Sequence, residues 1–197
     1  MSFVETPSIM KMRREAELLQ GAFSKESDRG VVLVASAFFD TTLERLLRAR
    51  FSSRIGKATR LVEPLFGGLG PLSTFSAKIR LSYAIDLLQD WMAADLDLIR
   101  RIRNEFSHSF ESASFASAAI TQQVDQLQGY EMALKSINAG NNKGKFDPNK
   151  IQENIRSRWK FNLTCSRIGA LLQAKAVIQE SDAPDEAKHK FMTNPAL

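Results

Sequence analysis

Cysteine occurs once in the 197 residues, at position 165. A disulfide within one chain is therefore impossible, and a cysteine-based metal site is not expected. Histidine is almost as scarce, with only His108 and His189, which leaves little material for histidine-ligated metals. No apolar run approaches the roughly 20 residues that a membrane-spanning helix needs. Charges at Glu5, Lys11, Arg13 and Arg14 break up the beginning of the chain before any long apolar stretch, unlike a secretory signal. A reducing, cytoplasmic location away from membranes is the expectation. Alternation of apolar and polar residues over several positions is missing too, so a half-buried sheet is not expected. There is no internal repeat, low-complexity tract or sustained heptad seam.

What is present is a globular composition, 44% hydrophobic and 25% charged, in a chain long enough to bury a full core as one domain. Helical periodicity dominates. The expected fold is all-α, an irregular bundle of about six helices, with an ordered core over about 11–180 and a frayed tail over 181–197. A first helix is expected over Lys11–Ser27. A second, over Val31–Phe51, places Val34, Ala35, Phe38, Leu43, Leu46 and Leu47 mostly on one side. The stretch from Glu63 to Leu72 holds three glycines and two prolines and reads as a compact apolar turn without regular structure. Ser73 is a candidate N-cap for a helix through Leu88 that carries Ile79, Tyr83 and Leu87. Further helices are expected over Ala93–Ser107 and Ser117–Ile137. The polar stretch Asn138–Lys145 is the expected flexible loop. Asp147 before Pro148 reads as the start of a last long helix to about Gln179, with Ile151, Ile155, Trp159 and Leu163 on one stripe.

The net charge is +5, from 27 basic and 22 acidic residues, a modest excess that suits contact with DNA or RNA as well as a merely solvated cationic surface. Its densest expression is the run Arg45, Arg48, Arg50, Arg54, Lys57 and Arg60, a candidate phosphate-gripping surface whose other reading is a solvated helix end complementing the helix dipole. Asp86, Asp90, Asp95 and Asp97 are the densest carboxylates. No histidine lies near them in sequence, so they are read as partners of Arg100 and Arg101 or as solvated groups. Neither a metal nor a cofactor is expected. The aromatic rings, Trp91 and Trp159 included, are read as core or interface residues.

The most informative string is Leu98-Ile-Arg-Arg-Ile-Arg-Asn-Glu-Phe-Ser-His108. Within it Arg103, Asn104 and His108 form R-N-x-x-x-H, which resembles the signature of the higher eukaryotes and prokaryotes nucleotide-binding (HEPN) superfamily. That resemblance implies a metal-independent endoribonuclease in which arginine and histidine meet across a dimer interface. The residue types suit the chemistry: a guanidinium stabilises a phosphorane, an imidazole moves the 2′-hydroxyl proton near neutral pH, and Asn104 orients. Five positions apart on an ideal helix, Arg103 and His108 diverge by about 140°, so one chain alone does not aim both at one phosphate. The alternative is structural, a histidine favoured at a helix C-terminus.

A second resemblance covers more of the chain. Glu63-Pro64-Leu65 through Gly70-Pro71-Leu72, then Phe75-Ser-Ala-Lys-Ile-Arg-Leu-Ser-Tyr-Ala84 and the later Leu98–Asn104 segment, are similar in order and spacing to the central block of the mannitol operon repressor family, over about residues 31–110. It implies an all-helical homodimer that represses transcription through DNA or a regulatory protein partner. The sequence shows no helix-turn-helix signature that would place a recognition helix in a major groove.

Overall fold

The computed structural model of the chain describes residues 7–55, 59–108, 113–140, 147, 150–181 and 184–193. Among these residues there are nine helices and no strand: α1 (Pro7–Lys25), α2 (Asp28–Ile55), α3 (Thr59–Phe66), α4 (Phe75–Ala84), α5 (Asp90–His108), α6 (Ala118–Val124), α7 (Gly129–Gly140), α8 (Glu153–Glu180) and α9 (Asp185–Met192). No helix among them is long and apolar enough to cross a membrane.

Two 28-residue helices, α2 and α8, each about 42 Å long, form the centre. They pack on each other, α2 also meets α1, α3, α4 and α5, and α8 meets α1, α6, α7 and α9. Being covered on several sides, both bury more than one stripe. In α2, Val31, Val32, Ala35, Phe39, Leu43, Leu46 and Leu47 are all fully buried, and in α8 Phe161, Cys165, Ile168, Leu172 and Ala176 are too. These join α5's Met92, Leu96, Ile99, Ile102 and Phe106 in one continuous core. Phe115 fills the gap between α5 and α8, its ring 5.5 Å from that of Phe106 and 5.1 Å from that of Phe161.

The expectation of about six helices falls short by three, and each addition has a local cause. The first is α3. Although Pro64 lacks the N–H to bond back to Arg60, the two-turn helix continues to Phe66 because Val62 and Phe66 anchor it in the core and the Arg48 guanidinium lies over the Phe66 ring at 4.3 Å. The irregular turn is thus shorter than the composition suggests, beginning at Gly67. Gly68 takes a left-handed φ of 56° there. Gly70 is obligatory, since a β-carbon would collide with the carbonyls of Pro64 and Leu65.

The second is the division of the expected Ser117–Ile137 helix into α6 and α7. Ser117 does stand at the N-cap, but the chain breaks at Asp125–Gln128, where the Asp95 carboxylate captures the N–H groups of Gln128 at 2.9 Å and Gly129 at 2.7 Å. Nothing local in the sequence announces a cap supplied from another helix. The third is α9, in the stretch read as a frayed tail. Its Met192 is 3% exposed, and the Met192 carbonyl accepts a hydrogen bond from the buried Lys175 of α8 at 2.6 Å.

Smaller shifts follow the same pattern. Thr74 rather than Ser73 caps α4, its Oγ1 accepting the Ala77 N–H at 3.2 Å. That helix ends at Ala84, where Asp86 adopts a left-handed φ of 59°, a conformation an aspartate tolerates better than most side chains. Helix α8 begins at Glu153, not at Asp147, and the stripe assigned to it is displaced. Ile155 is half exposed, while the buried line runs through Phe161, Cys165, Ile168 and Leu172. Val34, placed on the apolar side of its helix, and Tyr83, in the expected Ile79–Leu87 series, are both exposed. Helix α7 extends over Asn138–Gly140, and the rest of the expected flexible loop, 141–145, lies outside the described residues.

Candidate functional site

Helix α5 carries the R-N-x-x-x-H string on its last two turns. Its buried stripe of Met92, Leu96, Ile99, Ile102 and Phe106 fixes its rotation, and that rotation decides where each polar side chain goes. Arg103 and Asn104 are half-buried at the edges of the stripe; His108 is exposed at the helix end. Arg103 faces a recess bordered by Ser36 and Asp40 of α2 and by Thr74 at the entry to α4. His108 is not among the residues that line it. Within one chain the structure thus brings Arg103 to α2 and α4 rather than to His108, as the 140° divergence requires. Arg100 and Arg101 both pair with Asp97, at 2.8 and 3.3 Å, the use expected for that carboxylate. No cluster able to hold a metal ion occurs among the described residues.

Asp95 behaves differently from its acidic neighbours. It is fully buried and faces the start of α7, accepting from two backbone N–H groups. Burial pushes its carboxyl above the ordinary aspartate range, and the two N–H groups pull the other way. Gly129 allows this approach: a β-carbon there would sit 3.1 Å from Asp95 Oδ2, from the Thr164 methyl and from the Trp91 ring. Composition and spacing missed this residue. The available signal was its place, an acidic residue beside Met92, Leu96 and Ile99 on the core face.

The basic run is divided by the structure. Arg45 forms a bidentate pair with Glu180, at 2.6 and 2.9 Å, and also reaches Glu15 at 3.5 Å. One guanidinium thus joins α1, α2 and α8, and the Glu180 hydrogen bond is the main influence raising its pKa. Arg48 pairs with Glu44 and Glu63, at 2.9 and 2.8 Å. Lys78, almost wholly buried, lies between Asp40 at 3.0 Å and Glu44 at 2.7 Å. Burial pushes the Glu44 carboxyl up, but hydrogen bonds from Lys78 and Arg48 overcome it and hold the group below its ordinary range. Arg50 is half-buried and Arg60 exposed. The Arg54 side chain and Lys57 lie outside the described residues. The positive surface implied by the run is therefore weakened at its N-terminal end, where carboxylates answer the first two cations.

A continuous match to the mannitol repressor family runs over residues 15–168, from α1 to the middle of α8. The chain belongs to the mannitol repressor family. This makes it a regulator of the repressor type, and the match covers the whole α2–α5 frame on which the basic run and the R-N-x-x-x-H string are mounted. Solved structures share the fold. The MtlR chain from Escherichia coli, seen in a complex of MtlR with HPr, is 22% identical, with a TM-score of 0.58 over 79% of this chain and 98% of that one. A possible transcriptional regulator, YggD, from Shigella flexneri 2a str. 2457T is 16% identical, with a TM-score of 0.59 over 80% of this chain and 97% of that one. No curated protein matches the sequence. The mannitol repressor match ends before α9, so the carbonyl that receives Lys175 lies outside the matched span.

Proposed function

We propose that this mannitol repressor family member acts in the cytoplasm as a helical homodimer and exerts repression by docking on a regulatory protein. Family membership over residues 15–168 carries the reading, and the MtlR relative that shares the fold is found in a complex with HPr. The electrostatics favour a protein partner over direct DNA reading, because Arg45 and Arg48 are already neutralised by Glu180, Glu15, Glu44 and Glu63 and would have to give up those pairs to grip phosphates. The test is titration calorimetry of the purified protein with HPr from the same organism, beside gel retardation of a mannitol operator fragment at low salt. A saturable protein complex and an unshifted fragment are expected. Retardation with a steep salt dependence and no HPr complex would replace this reading with a DNA-binding one, with Arg50, Arg54, Lys57 and Arg60 as the phosphate contacts. Sedimentation equilibrium decides the dimer.

A second reading, metal-independent RNA cleavage by Arg103, Asn104 and His108, has one observation in its favour. Arg103 is a half-buried residue whose guanidinium has no acceptor among the described residues. It requires His108 of a second copy to approach that guanidinium. Incubation with end-labelled RNA in excess EDTA separates the readings. Cleavage that His108→Ala abolishes supports the enzyme, and intact RNA leaves the regulator.

A further inference from the structure

Among the described residues Lys78, Lys175 and Lys188 are buried, and packing answers the first two. Lys78 donates to two carboxylates and Lys175 to a carbonyl. Lys188 of α9 is only 8% exposed, yet its amine makes no hydrogen bond or ion pair with a described residue. A cation taken out of water without a partner is costly, and folded proteins seldom keep such a group without a reason. Its Nζ is not one of the atoms sealed from solvent, so the amine can be reached from the recess that Lys188 lines.

That recess has a volume of about 680 Å³, within the range of small-molecule sites. Its wall comes from four helices, with Glu15 on α1, Thr41 and Arg45 on α2, Glu180 at the end of α8 and Lys188 on α9. Arg45 is a second cation within a ligand's reach. Its side chain is 15% exposed, and of the five N–H donors of a guanidinium its bonds to Glu180 and Glu15 take three. The Thr41 hydroxyl is exposed and unpartnered. The wall therefore offers an amine, spare guanidinium N–H groups and a hydroxyl, a set that calls for a ligand rich in acceptors. Charge limits that ligand further. Arg45, Arg48 and Lys188 stand against Glu15, Glu44 and Glu180, and the two guanidiniums already hold the three carboxylates. One added negative charge has Lys188 to itself, whereas a dianion would be resisted by the carboxylates. Apolar wall is scant, so the remainder of the ligand must be polar, and hydroxyls, which both donate and accept, suit Arg45 and Thr41 together.

We propose that this recess between α1, α2, α8 and α9 binds a small polyhydroxylated monocarboxylate. The carboxylate lies on the Lys188 amine, and the hydroxyls take the open Arg45 N–H groups and the Thr41 hydroxyl. Glu180 and Lys188 lie beyond the span 15–168 that matches the mannitol repressor family, so the site draws on a part of the chain for which the match gives no role. It is independent of which macromolecule the regulator docks on.

The experiment is isothermal titration of the full chain with D-gluconate against three controls. Acetate has the charge without the hydroxyls, D-glucitol has the hydroxyls without the charge, and glucose 6-phosphate carries a second charge. D-Gluconate binds saturably and at least tenfold more tightly than any of the three. Lys188→Met weakens it tenfold or more, Lys188→Arg holds it within that factor, and Thr41→Val weakens it measurably. Without ligand, Lys188→Met melts at or above the temperature of the parent, since the amine has no partner to lose; a fall marks the amine as structural and overturns the proposal. It is equally overturned if D-gluconate does not bind by about 10 mM, if a control binds as tightly, or if binding survives Lys188→Met unchanged.

Discussion

Asp95 is buried without an ion-pair partner among the described residues, its two oxygens spent on the Gln128 and Gly129 N–H groups. Removing it leaves two donors in a closed space, so Asp95→Ala should destabilise the fold by about 2–3 kcal/mol. Asp95→Asn, which keeps one acceptor oxygen, should lose less; urea denaturation of both variants checks the order. Lys175 is the second residue whose burial has a measurable sign. Its amine is lowered from 10.5 to about 8 by desolvation. Between about pH 8 and 10.5 the unfolded chain therefore holds a proton that the folded chain has released, and stability gains with rising pH in that window. Below about pH 8 the amine is charged in both states and the gain is gone. Comparison of urea midpoints for the parent and Lys175→Met should show the parent rising across the window relative to the variant. Neither residue announces its role through composition. Both are charged side chains at core positions of strongly periodic helices, and what satisfies each comes from a different helix, 33 and 17 positions away along the chain.

At the scale of elements, α9 is the piece whose contribution is easiest to isolate. Ending the chain after Ser181 removes the Met192 carbonyl that receives Lys175 and opens that amine to water. Such a truncation should lower the melting temperature and also abolish the alkaline gain, because a solvated Lys175 titrates at its ordinary value in both states. If the truncated chain keeps the alkaline gain, burial by α9 is not its cause. Helices α2, α4 and α5 were legible within a few residues because turn residues or caps bound strong apolar periodicity. The stripe of α8 was not. A helix covered on several sides buries residues all round, so Ile155, Trp159 and Leu163 looked as eligible as the Phe161–Leu172 line. The division of α6 from α7 depends on Asp95, and the survival of α3 through Pro64 depends on the Arg48–Phe66 contact and burial of Val62. These are tertiary causes that local patterns do not contain.

For the molecule as a whole, the all-helical class was legible from the missing strand pattern, and the family from the Glu63–Ala84 block. The candidate sites were legible only as residue types: the sequence offered Arg103 and His108 as a pair and the basic run as one surface, and packing redistributed both. The continuous core from α2 through α5 to α8 leads us to expect one cooperative transition. Trp91 and Trp159, on α5 and α8, should report the same midpoint by fluorescence as helix content does by circular dichroism; separated midpoints would reveal two folding units. At the centre of that core lies the only thiol in the sequence, Cys165, completely buried and pushed well above its ordinary pKa by desolvation. Such a sulfur is unreactive while the bundle is closed, so an alkylating reagent can reach it only through opening of the bundle. The chain thus carries an internal clock: the labelling rate of unmodified protein measures how often the bundle opens, and a partner or small molecule that holds it shut would slow that rate without any introduced probe.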